Sequence, residues 1–244
     1  MFRTTRWTVV RLAQAGDPAA AQEGMECLAQ TYWYPLYAFA RRQGLSESDA
    51  KDATQGFLAR MVAGNLLESV DASKGRFRSF LLTCYKNHLT DERERAQAIK
   101  RGGHVEFVGL DTSGADALYQ NESVGLNVED HYDRDWAQSL MVVVLERLRE
   151  ECARSRKLDR FEALVLFLID DPSTQEQAQL RNKLALGESG LRTALQRLRF
   201  RFGEYVWTEI ARTVAEVADV EEETRYLLGI LSRTDAFRSL ARTS

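Results

Sequence analysis

Apolar residues return every three or four positions along most of this chain, a period that selects helix over strand. From Ser46 onward, Ala50, Ala53, Thr54, Phe57, Leu58 and Met61 share one face, which predicts a core-facing stripe. Upstream, Leu28, Tyr32, Leu36, Phe39 and Ala40 form another face, ended by Gly44, with Pro35 as a kink or early-turn residue. A third helix is predicted from about Arg76 to Ala98, with Phe77, Phe80, Leu81, Cys84, His88 and Leu89 on one side and Arg78, Lys86, Arg93 and Arg95 largely away from it. Only 3 prolines occur in 244 residues, and Leu, Ala, Arg, Glu and Gln are abundant, so sheet has little to draw on. The expected fold class is all-α.

Gly102-Gly103 breaks the third helix, and from there to about Val128 Gly, Ser, Asp and Asn stand among aperiodic apolar residues, as in a linker. Helix is expected again from about Asp133 to Ser155 and from Phe161 to Ile169. It stops at Asp171-Pro172 because a residue before proline avoids helical geometry. Ser46 with Asp49, and Ser173 with Glu176, have the spacing of a capping box. The helix opened by Ser173 ends near Leu186-Gly187. A second starts at once, with Leu191, Leu195, Leu198, Phe202, Val206 and Ile210 as its stripe. Helix, short turn, basic amphipathic helix is a helix-turn-helix pattern. Phe200 lies off the stripe and is expected to pack against the C-terminal extension. The predicted organisation is two helical domains, residues 1–100 and 134–207, joined by a flexible acidic linker over 101–133 and followed by an acidic helical extension over 208–244.

A formal net charge of -3 argues against a nucleic-acid partner until its distribution is considered. Lys74 to Arg101 holds eight Lys and Arg against three acids, and Arg181 to Arg201 holds six against one, so each is a +5 island. Glu106 to Asp135 carries -7 and Glu204 to Glu223 carries -6. Taken alone, the first island also suits a solvated helix face with a core His88, and the second an ordinary helical hairpin. The opposite sign of the acidic tail predicts that it covers and restrains the second island.

Cys27, Cys84 and Cys152 are odd in number and lack metal-ligand spacing, so they read as small core residues, and neither metal nor cofactor is expected. Trp7, Trp33, Trp136 and Trp207 read as packing residues. No GxGxxG, P-loop, HExxH or GxSxG pattern is present, and a non-enzyme is expected. The first seven residues lack the apolar middle of a signal peptide, and no stretch approaches the roughly 20 apolar residues of a membrane span. A cytoplasmic protein without a membrane partner is the expectation.

Within the third helix, an aliphatic run at Leu81-Leu82 is followed by Asn87, Asp91 and Arg95 at intervals of four. Upstream stands Asp49-Ala50-Lys51-Asp52-Ala53-Thr54-Gln55-Gly56-Phe57-Leu58, and downstream Gln177 to Arg199, ending Gln196-Arg197-Leu198-Arg199. In this order the three segments resemble the extracytoplasmic-function sigma factors of bacterial RNA polymerase. Tyr32 to Arg42, Gly75 to Leu81 and the acidic tail are similar to a subgroup abundant in planctomycetes. The resemblance extends over about Thr4 to Leu231. Arg181, Ala185 and Gly187 depart from it, since the family usually places a small residue, Gly and a Ser cap there.

The resemblance implies a transcription initiation factor whose partners are core RNA polymerase and promoter DNA, with a regulatory inhibitor protein as a further candidate. Asp49, Asp52, Gln55 and Phe57 would contact polymerase. Asn87 and Asp91, with Tyr85 and His88 beside them, would take unpaired promoter bases, and Arg76, Arg78, Lys86, Arg93 and Arg95 would hold phosphates. Glu188, Ser189, Arg192, Thr193 and Gln196 would face base edges in the major groove, with Arg197, Arg199 and Arg201 on phosphates. The acidic linker would run through the polymerase's RNA path. The alternatives are a stand-alone helix-turn-helix regulator and a helical adaptor that has lost DNA recognition, the latter allowed by the departures at Arg181, Ala185 and Gly187.

Overall fold

The computed structural model describes residues 18–63, 76–98, 127–214 and 219–232, and regular structure among them is helical throughout. The elements are α1 (Pro18–Arg42), α2 (Glu47–Ala63), α3 (Phe77–Ala98), α4 (Val128–Arg154), α5 (Leu158–Leu164) continued by a 3-10 turn (Val165–Phe167), α6 (Thr174–Leu184), α7 (Glu188–Ala211) and α8 (Asp219–Ser232). None of these helices is long and apolar enough to cross a membrane. The described residues fall into two compact units, one within Met1–Ser139 and Arg212–Val217, the other within Leu140–Ala211 and Ala218–Ser244.

In the first unit α1 and α2 pack together and α3 packs against both. Gly44, at φ +89°, supplies the left-handed residue that ends α1, with its N–H on the Arg41 carbonyl at 2.9 Å. Ser46 then caps α2: its hydroxyl accepts the Asp49 N–H at 3.1 Å and donates to the Asp49 carboxylate at 2.6 Å. Of the predicted stripe, Ala50, Thr54, Phe57, Leu58 and Met61 are buried and Ala53 is half-buried. Pro35 lies inside α1 and is buried. The first unit's aromatic core comprises Tyr32, Tyr37, Phe39, Phe57, Phe77, Tyr85, Tyr132 and Trp136.

α4 begins at Val128, five residues before the expected start. Asn127 caps it by accepting the Asp130 N–H at 2.7 Å, and Glu129 and Asp130 complement the dipole in its first turn. The stretch expected as linker is thus helical from 128, and its remainder, 101–126, lies outside the described residues, as do the first 17 residues with Trp7.

In the second unit, Ala163, Leu164, Leu180, Leu191 and Leu195 form a cluster contributed by α5, α6 and α7, with Phe167, Leu184, Ala194 and Leu198 packed against it. The capping box at Ser173 and Glu176 is present in both directions, at 3.3 Å and 2.7 Å. α8 packs against α7 and buries Val220, Leu227 and Ile230. Phe200, expected against this extension, is 66% exposed.

α6 and α7 are joined by Ala185–Gly187, and Ala185 is in the left-handed region at φ 50°. An L side chain there costs about 1–2 kcal/mol, against roughly 0.5–1 kcal/mol for the extra unfolded-state freedom of glycine. Ala185→Gly is therefore expected to stabilise the second unit by about 0.5–1 kcal/mol in urea denaturation; a destabilised variant would show that strain at this turn is not a factor.

Candidate nucleic-acid interface

On α3, burial of Phe77, Leu81, Leu82, Tyr85, His88 and Leu89 turns the opposite side outward. Asn87, Asp91 and Arg95, four residues apart, are all exposed, with Thr83 and Thr90 beside Asn87. Arg93, exposed on another side of α3, donates to the Gln43 carbonyl at 2.9 Å and ties the helix to the end of α1. Arg95 pairs with Glu92 at 2.8 Å, and Lys86 with Glu129 at 2.6 Å. The Lys86 hydrogen bond holds the Glu129 carboxyl below its ordinary range. Arg76 is half-buried.

Arg78 departs from the phosphate-binding expectation. Its side chain is 3% exposed, its guanidinium pairs with Asp133 at 2.6 Å and lies 4.9 Å from the Trp136 ring centre, and its carbonyl accepts the Tyr132 hydroxyl. A group enclosed in this way belongs to the core. Tyr85 and His88 are corrected likewise. Tyr85 is fully buried, shares a 2.8 Å hydrogen bond with the Thr54 hydroxyl, and has its phenol pushed well up by burial.

His88 is buried against the Phe57 and Tyr85 rings. The Arg60 guanidinium, which can only donate, meets its Nδ1 at 3.2 Å, so that nitrogen is the unprotonated one. Burial pulls the imidazole below its ordinary 6.5; Arg60 adds to this, and Glu92, the Ala53 backbone and Asp91 oppose it. The depressed folded value means a stability contribution that is full above pH 6.5 and is lost as pH falls through the folded value. An NMR titration should place the His88 midpoint below 6.5, and His88→Gln should flatten the acid side of the stability profile; a midpoint at or above 6.5 rules this out.

Asp49 and Asp52 are exposed and Gln55 is half-buried. All three line an open groove of about 1080 Å³ with Arg60, Glu92 and Arg93 at its edges and His88 and Leu89 below. Phe57, expected at a partner surface, is instead 0% exposed, 5.0 Å from the Tyr85 ring and 5.5 Å from His88. Nothing local in the sequence marks Arg60 and Glu92 as rim residues, because the groove forms only when α2 and α3 pack together.

In the second unit the opening of α7 presents Glu188, Ser189, Arg192, Thr193, Gln196 and Arg197, all exposed, with Glu188 and Arg192 paired at 3.4 Å. Arg199 does not join them. It donates to the Phe167 carbonyl at 3.0 and 2.8 Å and to the Asp170 carbonyl at 2.7 Å, and pairs with Asp171 at 2.8 Å, so it fastens the turn before α6 rather than facing a phosphate. Arg201 is also held internally, by Glu151 at 2.9 Å and Glu204.

Among the described residues no three His, Cys, Asp or Glu side chains gather in a way that could hold a metal ion. Compared with protein-family models, curated proteins and solved structures, the chain finds no match.

Proposed function

We propose that this chain is a sigma-type initiation factor that binds core RNA polymerase and opens promoter DNA. The observation that carries the reading is the shared exposure of Asn87, Asp91 and Arg95 along one side of α3, while the aromatic and aliphatic residues between them are buried. An amide, a carboxylate and a guanidinium four residues apart offer hydrogen-bonding edges to successive unstacked bases and a charge to the backbone. The groove with Asp49, Asp52 and Gln55 is the polymerase contact in this reading. α6 and α7 are the helix-turn-helix, with Arg192, Thr193 and Gln196 at base edges, Glu188 and Ser189 beside them and Arg197 on phosphate. The chemistry of RNA synthesis belongs to polymerase, and the two modest DNA contacts act together by effective concentration.

Pull-down of core polymerase followed by run-off transcription tests this. The chain should retain polymerase and support promoter-dependent run-off. Asn87→Ala should lower run-off about tenfold with retention intact, and Asp52→Ala should lower retention. No stimulation by the wild-type chain on any genomic template ends the proposal. The internal pairing of Arg78, Arg199 and Arg201 favours, as a second reading, a protein-interaction adaptor without DNA recognition. Its signature would be polymerase retention with no initiation and no salt-sensitive promoter binding.

A further inference from the structure

The second unit contains a cavity of about 400 Å³ between the end of α4, α5 and the first turns of α7. Its floor is apolar, formed by Leu148, Phe161, Leu164, Leu186 and Leu198. Its edge carries Lys157, Arg160, Arg197 and Arg201 against the single carboxylate of Glu151. Glu151 is already satisfied: Arg201 donates to it at 3.0, 3.1 and 2.9 Å and the Tyr205 hydroxyl at 2.9 Å, which holds the carboxyl below its usual range. Lys157, Arg160 and Arg197 are left with no ion-pair partner among the described residues.

A half-open apolar floor with a few converging polar groups, at a volume within roughly 300–1,000 Å³, has the lining of a small-molecule site. Three uncompensated cations around such a floor select an occupant by sign, and the floor selects by polarity. We propose that this cavity binds a small amphipathic carboxylate. Its aliphatic or aryl body rests on Phe161, Leu164 and Leu198, and its charge is taken by Lys157, Arg160 and Arg197, guanidinium being the better match to a planar carboxylate. The carboxylate site does not rest on the proposed function, but Ser189, Thr193 and Arg197 line the cavity and are also residues which that function places at DNA.

Calorimetric titration of the full chain with decanoate, and with decanol as its uncharged counterpart, tests the assignment. Decanoate should bind saturably at one site, and decanol about tenfold more weakly. The double substitution Arg160→Ala with Arg197→Ala should weaken decanoate about tenfold, with circular dichroism unchanged. A second readout needs no substitution. Cys152 lines the cavity and Cys84 lies in the first unit, so saturating decanoate should slow iodoacetamide alkylation of Cys152 and leave Cys84 unaffected. Absence of decanoate binding, equal affinity for decanol, or an unchanged rate at Cys152 would each overturn the proposal.

Discussion

Replacing Asp135 by alanine is expected to remove about 3–5 kcal/mol from the stability of the first unit. Asp135 is 0% exposed, and its carboxylate receives Arg42 at 2.8 Å and Arg134 at 3.1 Å. Both guanidinium side chains are themselves largely enclosed, at 6% and 9% exposure. Truncation therefore removes a fully buried carboxylate from beside two enclosed cations, a far larger penalty than the loss of an exposed pair such as Lys51–Glu47, worth about 0.3–0.5 kcal/mol. Against a typical total of about 5–15 kcal/mol, such a loss brings the unit close to unfolding. Urea denaturation followed by the emission of Trp33 and Trp136, both in this unit, is the measurement. A cycle with Arg42→Met should be strongly non-additive, because the two side chains belong to one buried ion-pair cluster. A loss below about 1 kcal/mol would mean that the cluster is hydrated and of little consequence.

The second large effect separates folding from partner binding on α2. Phe57→Ala is expected to cost about 3–5 kcal/mol, since the ring is fully buried between Tyr85 and His88 and its removal leaves a cavity. Asp52→Ala, at an exposed position, should stay within about 0.5 kcal/mol of wild type. Thermal denaturation beside the polymerase pull-down then sorts the two. Lost retention in Phe57→Ala reports a damaged core, whereas lost retention in Asp52→Ala reports a removed contact. A Phe57→Ala chain that melts with the wild type would refute the packing described for α2.

Which face of α3 is buried was only partly legible. Of the stripe expected through Phe77, Phe80, Leu81, Cys84, His88 and Leu89, Phe80 and Cys84 are only half-buried and the rest are buried, while Arg78, Leu82 and Tyr85 beside it are enclosed as well. Positions 78, 82 and 85 extend the buried surface to an adjacent stripe: the first turns of α4 bring Tyr132, Asp133 and Trp136 to Arg78, and Phe39 of α1 with Thr54 and Phe57 of α2 meet Tyr85. A helical wheel shows the two stripes as adjacent but does not show how many neighbours a helix will have. The early start of α4 was more accessible, because Asn127 followed by Glu129 and Asp130 is a cap with an acidic first turn.

The charge blocks make the same point. Lys86 and Arg78 belong to the first basic island, and their partners Glu129 and Asp133 to the acidic block that follows it, so two blocks read as separate surfaces partly neutralise one another. Likewise the N–H of Phe77 at the start of α3 is satisfied by the Thr213 carbonyl, more than a hundred residues away. Helix starts, stops and apolar periods could be read from the residues alone, since caps, glycine turns and side-chain spacing act within one or two turns of chain. Exposure of a given arginine to water was settled by distant segments packing over it, because the free energy of an ion depends on everything that surrounds it in space.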